Sequence, residues 1–388
     1  MDLTTLTYVF LLMVGYLGFD AAMHAPDTIL ETEAVGTFEK TTLSAGLVND
    51  VLSQTVLEIS STPTVMTRPV IRVGRLEGLA MSLAQSLKME SVAYALQAQL
   101  GYRPDEIKIS LFGEGGTARV LVTGTGRQRM TSFQQQLILE PGEAIVDLVQ
   151  RATVIGMAHI DPYITALYMM QRHAEDKDFT HAQTIIKFAM AGLPPTPQNF
   201  ERSLFENLNG LIALFNNDPK AARDWFARAE ASCPDNTVAD AVTSVNTAFA
   251  DMQIDHDQAA VDHIQMLLRD KPPTDKVLLS TAYMTLAAAQ LGVHDVNGAD
   301  RAIAKAIEAY PEASSAYDLW SDIKREKGDE AQAEQLHRKA LENSVSFENY
   351  GEIAALYFRM AWRNDQPVMR SPFSNPTLGG VHLSGLGK

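Results

Sequence analysis

The 388-residue sequence has a single cysteine, Cys233. No intramolecular disulfide can form, and that absence selects neither an oxidising nor a reducing compartment. Cys233 stands just before Pro234, at the end of a helical pattern, and reads as a packing or surface thiol rather than a nucleophile. Basic clusters are also missing. Residues 1–160 carry 11 Lys/Arg against 16 Asp/Glu, residues 161–388 carry 21 against 31, and the net charge is −15. Affinity for nucleic acid comes mainly from neutralised phosphates, so nucleic acid is not an expected partner. The acidity serves solubility.

Catalytic signatures are scarce as well. There is no G-x-S-x-G and no reactive-cysteine pattern. His256 and His263 are seven residues apart, whereas zinc-binding helices pair histidines at i, i+4, and Asp257 and Asp262 beside them read as a solvated polar face. Gly113, Gly115 and Ala118 fit G-x-G-x-x-A. A dinucleotide site needs a helix next, and Arg119, Val120, Leu121 and Val122 form a strand pattern instead, so this is a hairpin turn. Gly124-Thr125-Gly126 reads as another turn, and no G-K-[ST] follows to make a phosphate loop. No enzyme activity, metal or cofactor is expected.

What is present begins with an uncharged run over residues 3–19, which extends through Ala21 and Ala22 if Asp20 is included. That length is at the short end for a bilayer span. No Lys or Arg precedes it, and the candidate cleavage site after Ala25 is followed by Pro26. An uncleaved anchor over residues 1–23 is the reading adopted; a cleaved signal and a buried helix are the alternatives. The first basic residue is Lys40, after six acidic ones, and a flank without positive charge is readily exported. The expectation is a single-pass inner-membrane protein, contacting the bilayer through residues 3–22, with its C-terminal part periplasmic.

Residues 24–40, with Glu31 and Glu33, read as linker. From residue 41 to 160 the pattern predicts a small α+β domain. Leu43, Leu47, Val48, Val51, Leu52, Val56 and Ile59 mark one face of a helix. A short strand at 70–73 and a helix at 78–100 follow. Strands at 107–112, 118–123 and 131–139 would form a mostly antiparallel meander, and a helix opens at Pro141-Gly142-Glu143 and runs to about His159.

Beyond residue 160 the chain repeats. Pro194, Pro234, Pro272 and Pro311 close successive helical segments, with Ala182, Ala222, Ala260 and Ala299 each twelve residues earlier. Five residues before each proline stand Ala189, Ala229, Leu267 and Ala306. A period of this size predicts stacked helical hairpins. Small residues recur in the first helix of each segment at Gly210, Ala248, Ala287 and Ser321, while Met170 takes that place in the first segment. These residues resemble the tetratricopeptide repeat (TPR) family, over roughly residues 163–347. The arrangement further resembles bacterial envelope proteins that combine a membrane anchor with such repeats.

The resemblance implies a mainly α fold. About five hairpins plus a closing helix form a TPR-like solenoid over residues 161–362, and a flexible tail follows at 363–388. It also implies a groove lined by the first helix of each hairpin, with Tyr168, Gln171, Asn207, Asn246, Phe249, Asp318, Asp322 and Arg325 as candidate peptide contacts. One groove position carries Leu167, Asn207, Val245, Met284 and Asp318 in turn. None is basic, so the clamp that holds a terminal carboxylate in chaperone-binding members is missing. The function expected is a membrane-anchored protein–protein interaction scaffold. The alternatives are a structural subunit of a membrane complex, and a ligand-sensing or enzymatic α+β domain with the repeats as docking arm.

Overall fold

A computed structural model describes the protein over residues 28–34, 45–62, 64, 105–113, 118–126, 131–174, 177–194, 196 and 198–344. The expected anchor, the strand at 70–73, the helix at 78–100, the closing helix at 347–362 and the tail lie outside those residues. Among the described residues no helix is long and apolar enough to cross a membrane. The chain forms two compact units, one holding the sheet and its helices, the other the hairpin array.

The first unit is a four-stranded sheet in the order β1 (Thr28–Ala34), β2 (Asp105–Phe112), β3 (Arg119–Gly126) and β4 (Thr131–Ile138). Strands β2 to β4 form the expected antiparallel meander. Strand β1 pairs parallel with β2, Leu30 opposite Ile107 and Thr32 opposite Ile109. This stretch falls in the expected linker. On the face that carries the buried Thr28 stand Leu30 and Thr32, both partly buried, one large apolar residue among three and too weak an alternation to read as a strand. Glu33, on the other face, pairs with Lys108 at 3.3 Å.

Helices α1 (Ala45–Ser60) and α2 (Ile145–Ile160) pack against each other and onto the sheet. Val48, Leu52, Val56 and Ile59 are buried at i, i+4 and i+3 spacing, whereas Leu47, expected on that face, is exposed. Ile107, Ile109, Leu111, Val120 and Val122 supply the buried face of the sheet. Gly156 lets α2 approach β2: a Cβ there would lie 3.1 Å from Ile107 Cγ2. The residues Gly124-Thr125-Gly126 belong to β3 and make no turn. The strand needs a glycine at 124 because a Cβ would strike the Glu106 carbonyl and the Phe133 ring. His159 stacks flat on that same ring, with centroids 4.3 Å apart. Pro141 and Gly142 form a turn, Gly142 at φ +84°, and α2 starts only at Ile145.

The second unit comprises helices α3 (Pro162–Arg172), α4 (Thr180–Ala191), α5 (Phe200–Phe215), α6 (Pro219–Ser232), α7 (Thr237–Gln253), α8 (Asp257–Asp270), α9 (Lys276–Gly292), α10 (Val296–Ala309), α11 (Ser314–Glu326) and α12 (Glu330–Ser344). The close pairs are α5/α6, α7/α8, α9/α10 and α11/α12, and the first helices α5, α7, α9 and α11 stack one on the next. Helices α3 and α4 stand in the expected places but are not closely paired. Met170 of α3 is buried where the other hairpins have a small residue.

One turn recurs. Asn217, Asp255, His294 and Gly328 adopt positive φ of 60°, 59°, 60° and 79° between the two helices of their hairpins. In each, the N–H of the next residue reaches back to a carbonyl in the last turn of the first helix: Asp218 to Ala213, His256 to Asp251, Asp295 to Gln290, Asp329 to Lys324, all at 2.8–2.9 Å. This left-handed cap satisfies carbonyls the helix end leaves open. Asn, Asp and His tolerate the conformation better than bulkier or β-branched residues. Asp218, Asp295 and Asp329 then cap the second helix, accepting from the N–H of Ala221, Gly298 and Gln332.

The alanine ladder is the seam of the array. Ala222, Ala260, Ala299 and Ala333 are completely buried, as are Ala248, Ala287 and Ser321 on the first helices. Ser321 Oγ donates to the carbonyl of Ala333 at 2.8 Å, so α11 and α12 meet close to backbone distance. Larger side chains at these points would push the helices apart. Phe205, Phe226, Phe249, Ile264 and Ile303 fill the space between seams.

Candidate functional site

The groove expected from the sequence runs along α3, α5, α7, α9 and α11. In the middle of the array that face is closed to solvent. Leu204, Asn207, Leu211, Val242, Val245, Asn246, Phe249, Met284 and Ala288 are all buried. Three of the candidates, Asn207, Asn246 and Phe249, are buried there, at 2%, 1% and 1% exposure.

The two asparagines instead bridge consecutive hairpins. Asn207 Nδ2 donates to the Ser203 carbonyl (2.9 Å) and to Thr243 Oγ1 (3.0 Å). Its Oδ1 accepts from Asn246 Nδ2 at 2.9 Å. Among the described residues Asn246 Oδ1 is buried without a hydrogen-bond partner, a cost that the paired groups around it must offset. The residue type is readable in the sequence, but at groove positions a polar side chain looks the same whether it faces solvent or its neighbouring helix.

Of the other five candidates, Tyr168 and Gln171 lie on α3, and Asp318, Asp322 and Arg325 on α11 of the last described hairpin; all reach solvent at least in part. On α3, Tyr168 OH accepts from Arg172 Nη1 at 2.7 Å, and Gln171 lies one turn along. On α11, Asp318 faces His337 of α12, its carboxylate 3.0 Å from Nδ1. Asp322 accepts from Arg325 Nη1 at 2.8 Å, and Arg325 Nε also lies 3.9 Å from Glu330. The structure thus brings together Asp318, Asp322 and Arg325 as one charged, solvent-reachable face, and separates them from Tyr168 and Gln171 by three hairpins.

Sequence reasoning missed a neighbouring cluster. Asp300 of α10 is half-buried and accepts from Trp320 Nε1 (2.7 Å), Lys324 Nζ (2.8 Å) and Lys327 Nζ (2.7 Å). Burial alone raises its carboxyl, but the bonds from Lys324, Lys327 and Trp320 outweigh that and hold it at about 2. The available signal is Trp320 and Lys324, at i and i+4 on α11, with Lys327 at i+7 just past its end. The cluster fastens the last hairpin to the one before and fixes the helix that carries Asp318 and Asp322.

Among the described residues no three His, Cys, Asp or Glu side chains converge to hold a metal. Asp262 accepts from Gln258 at 2.8 Å. Burial, then the neighbouring Asp255, pushes the Asp257 carboxyl up. Burial, then Asp235 and Asp240, pushes the Cys233 thiol up, away from the reactive thiolate.

These hairpins, with their repeated turn and small-residue seam, define a tetratricopeptide-like helical solenoid. No protein-family model matches the chain, and neither does any curated protein. Among solved structures it is similar to MamA in several crystals. One is 21% identical with a TM-score of 0.30, covering 44% of this chain and 91% of that one. A second, designated AMB-1, is 14% identical with a TM-score of 0.31, covering 47% and 98%. A third is 19% identical with a TM-score of 0.30, covering 47% and 92%. Scores this low carry no argument about partner or process.

Proposed function

We propose that the protein is a protein–protein interaction scaffold, held at the inner membrane by residues 3–22, with the solenoid on the periplasmic side and no catalytic role. The observation that supports this reading is the array itself. Four hairpins repeat one turn and one seam, and stacking of this kind builds extended surface for partners rather than a reaction centre. The contact surface we assign lies on the last described hairpin: Asp318, Asp322 and Arg325 on α11, with His337 beside them. Two carboxylates against one guanidinium suit a partner segment that brings basic side chains. Tyr168 and Gln171 form a second, smaller contact on α3.

The test is in-cell crosslinking of the full chain followed by mass spectrometry, comparing wild type with an Asp318→Lys/Asp322→Lys variant. Loss of specific crosslinked partners in the variant supports the assignment. Unchanged recovery of every partner overturns it. A topology reporter fused after Lys388 tests the orientation separately: a reporter active only in the cytoplasm overturns the periplasmic placement.

A further inference from the structure

No further inference is drawn: the strongest candidate, the buried Asn207–Asn246 amide pair on the first-helix face of α5 and α7, offers an acceptor oxygen without a partner, but that face is closed to solvent and nothing in the structure shows what covers it.

Discussion

Gly210 of α5 lies directly against the ring of Phe226 of α6, so that a Cβ at 210 would fall inside the van der Waals surface of Cε1, Cδ1 and Cζ. Phe226 is itself 1% exposed and has no room to retreat. The pair sets how closely this hairpin can close. Gly210→Ala is therefore expected to destabilise the protein by roughly 1–3 kcal/mol despite the higher helix propensity of alanine. Urea denaturation of the full chain measures it. Phe226→Leu added to Gly210→Ala should cost less than the sum of the two changes, because the smaller side chain makes the space. Simple additivity would show that the glycine acts through something other than this contact.

The turn at Gly328 is a second backbone requirement. Its φ of +79° has open space around the missing Cβ, so any cost of a side chain is conformational, not steric crowding by neighbours. Gly328→Ala should lower stability by about 1 kcal/mol, and Gly328→Val by more. The reverse change, His294→Gly at φ +60°, removes left-handed strain but adds unfolded-state freedom, and should shift stability by no more than a few tenths of a kcal/mol. A large loss for His294→Gly would mean that the imidazole, not the turn, matters there.

Much of the array is legible in the amino-acid pattern alone. Ala222, Ala260 and Ala299 announce the seam by their spacing, because only a small residue fits where two helices nearly touch. The positive-φ turn is less visible: Asn217, Asp255, His294 and Gly328 share a conformation but no residue type. Strand β1 is hidden because Glu31 and Glu33 stand out in its composition while its buried position is a threonine, Thr28, and Leu30 is only partly covered. The site is harder still. Position along a first helix identifies Asn246 and Asp322 alike as groove residues. Burial separates them, and burial depends on what lies over the face, which no local pattern encodes.

The Asp300 cluster makes an acid-sensitive joint between α10 and α11. Its folded-state pKa of about 2 lies below the ordinary aspartate value, near 3.9. A depressed carboxylate contributes stability that is fully present above the unfolded pKa and is lost as pH falls through the folded one. The contribution is thus expected to be flat from about pH 5 to 8 and to disappear between about pH 4 and 2. It should amount to roughly 1–2 kcal/mol after allowance for solvent screening of a partly exposed group. Asp300→Asn isolates it: the stability gap to wild type should be constant above about pH 5 and close as the pH approaches about 2. A gap that persists at the acid end would assign the effect to packing of Trp320 instead of charge.

In the sheet unit, Arg151 plays the corresponding part. Its guanidinium is 3% exposed and binds Glu143 through Nε (3.0 Å) and Nη2 (2.8 Å), Glu140 at 3.2 Å and the Ile138 carbonyl at 2.8 Å. Removing it leaves Glu143, which is only 12% exposed, a carboxylate without its cation that still accepts from the Glu140 N–H at 2.8 Å. Arg151→Met is expected to cost about 3–5 kcal/mol, and Arg151→Met/Glu143→Leu to recover a substantial part of that. Both are read from thermal unfolding followed by circular dichroism. Failure of the double variant to recover would place the importance of Arg151 in its bond to the Ile138 carbonyl.

Stability and partner binding should separate cleanly across the solenoid. Asn207→Ala deletes a side chain that serves Ser203, Thr243 and Asn246 at once, leaving Asn246 Nδ2 buried without its acceptor. The expected loss is about 1–3 kcal/mol of stability, with partner recovery unchanged for the protein that remains folded. Asp322→Ala removes an exposed ion pair with Arg325, worth at most about 1 kcal/mol, so its melting temperature should barely move while partner recovery falls. The decisive measurement is both quantities on both variants in the same preparation. If Asn207→Ala abolishes binding well below its melting temperature while Asp322→Ala leaves it intact, the buried first-helix face is the one that partners use. It would then have to open to receive them, and the exposed face of α11 would be only part of the last described hairpin.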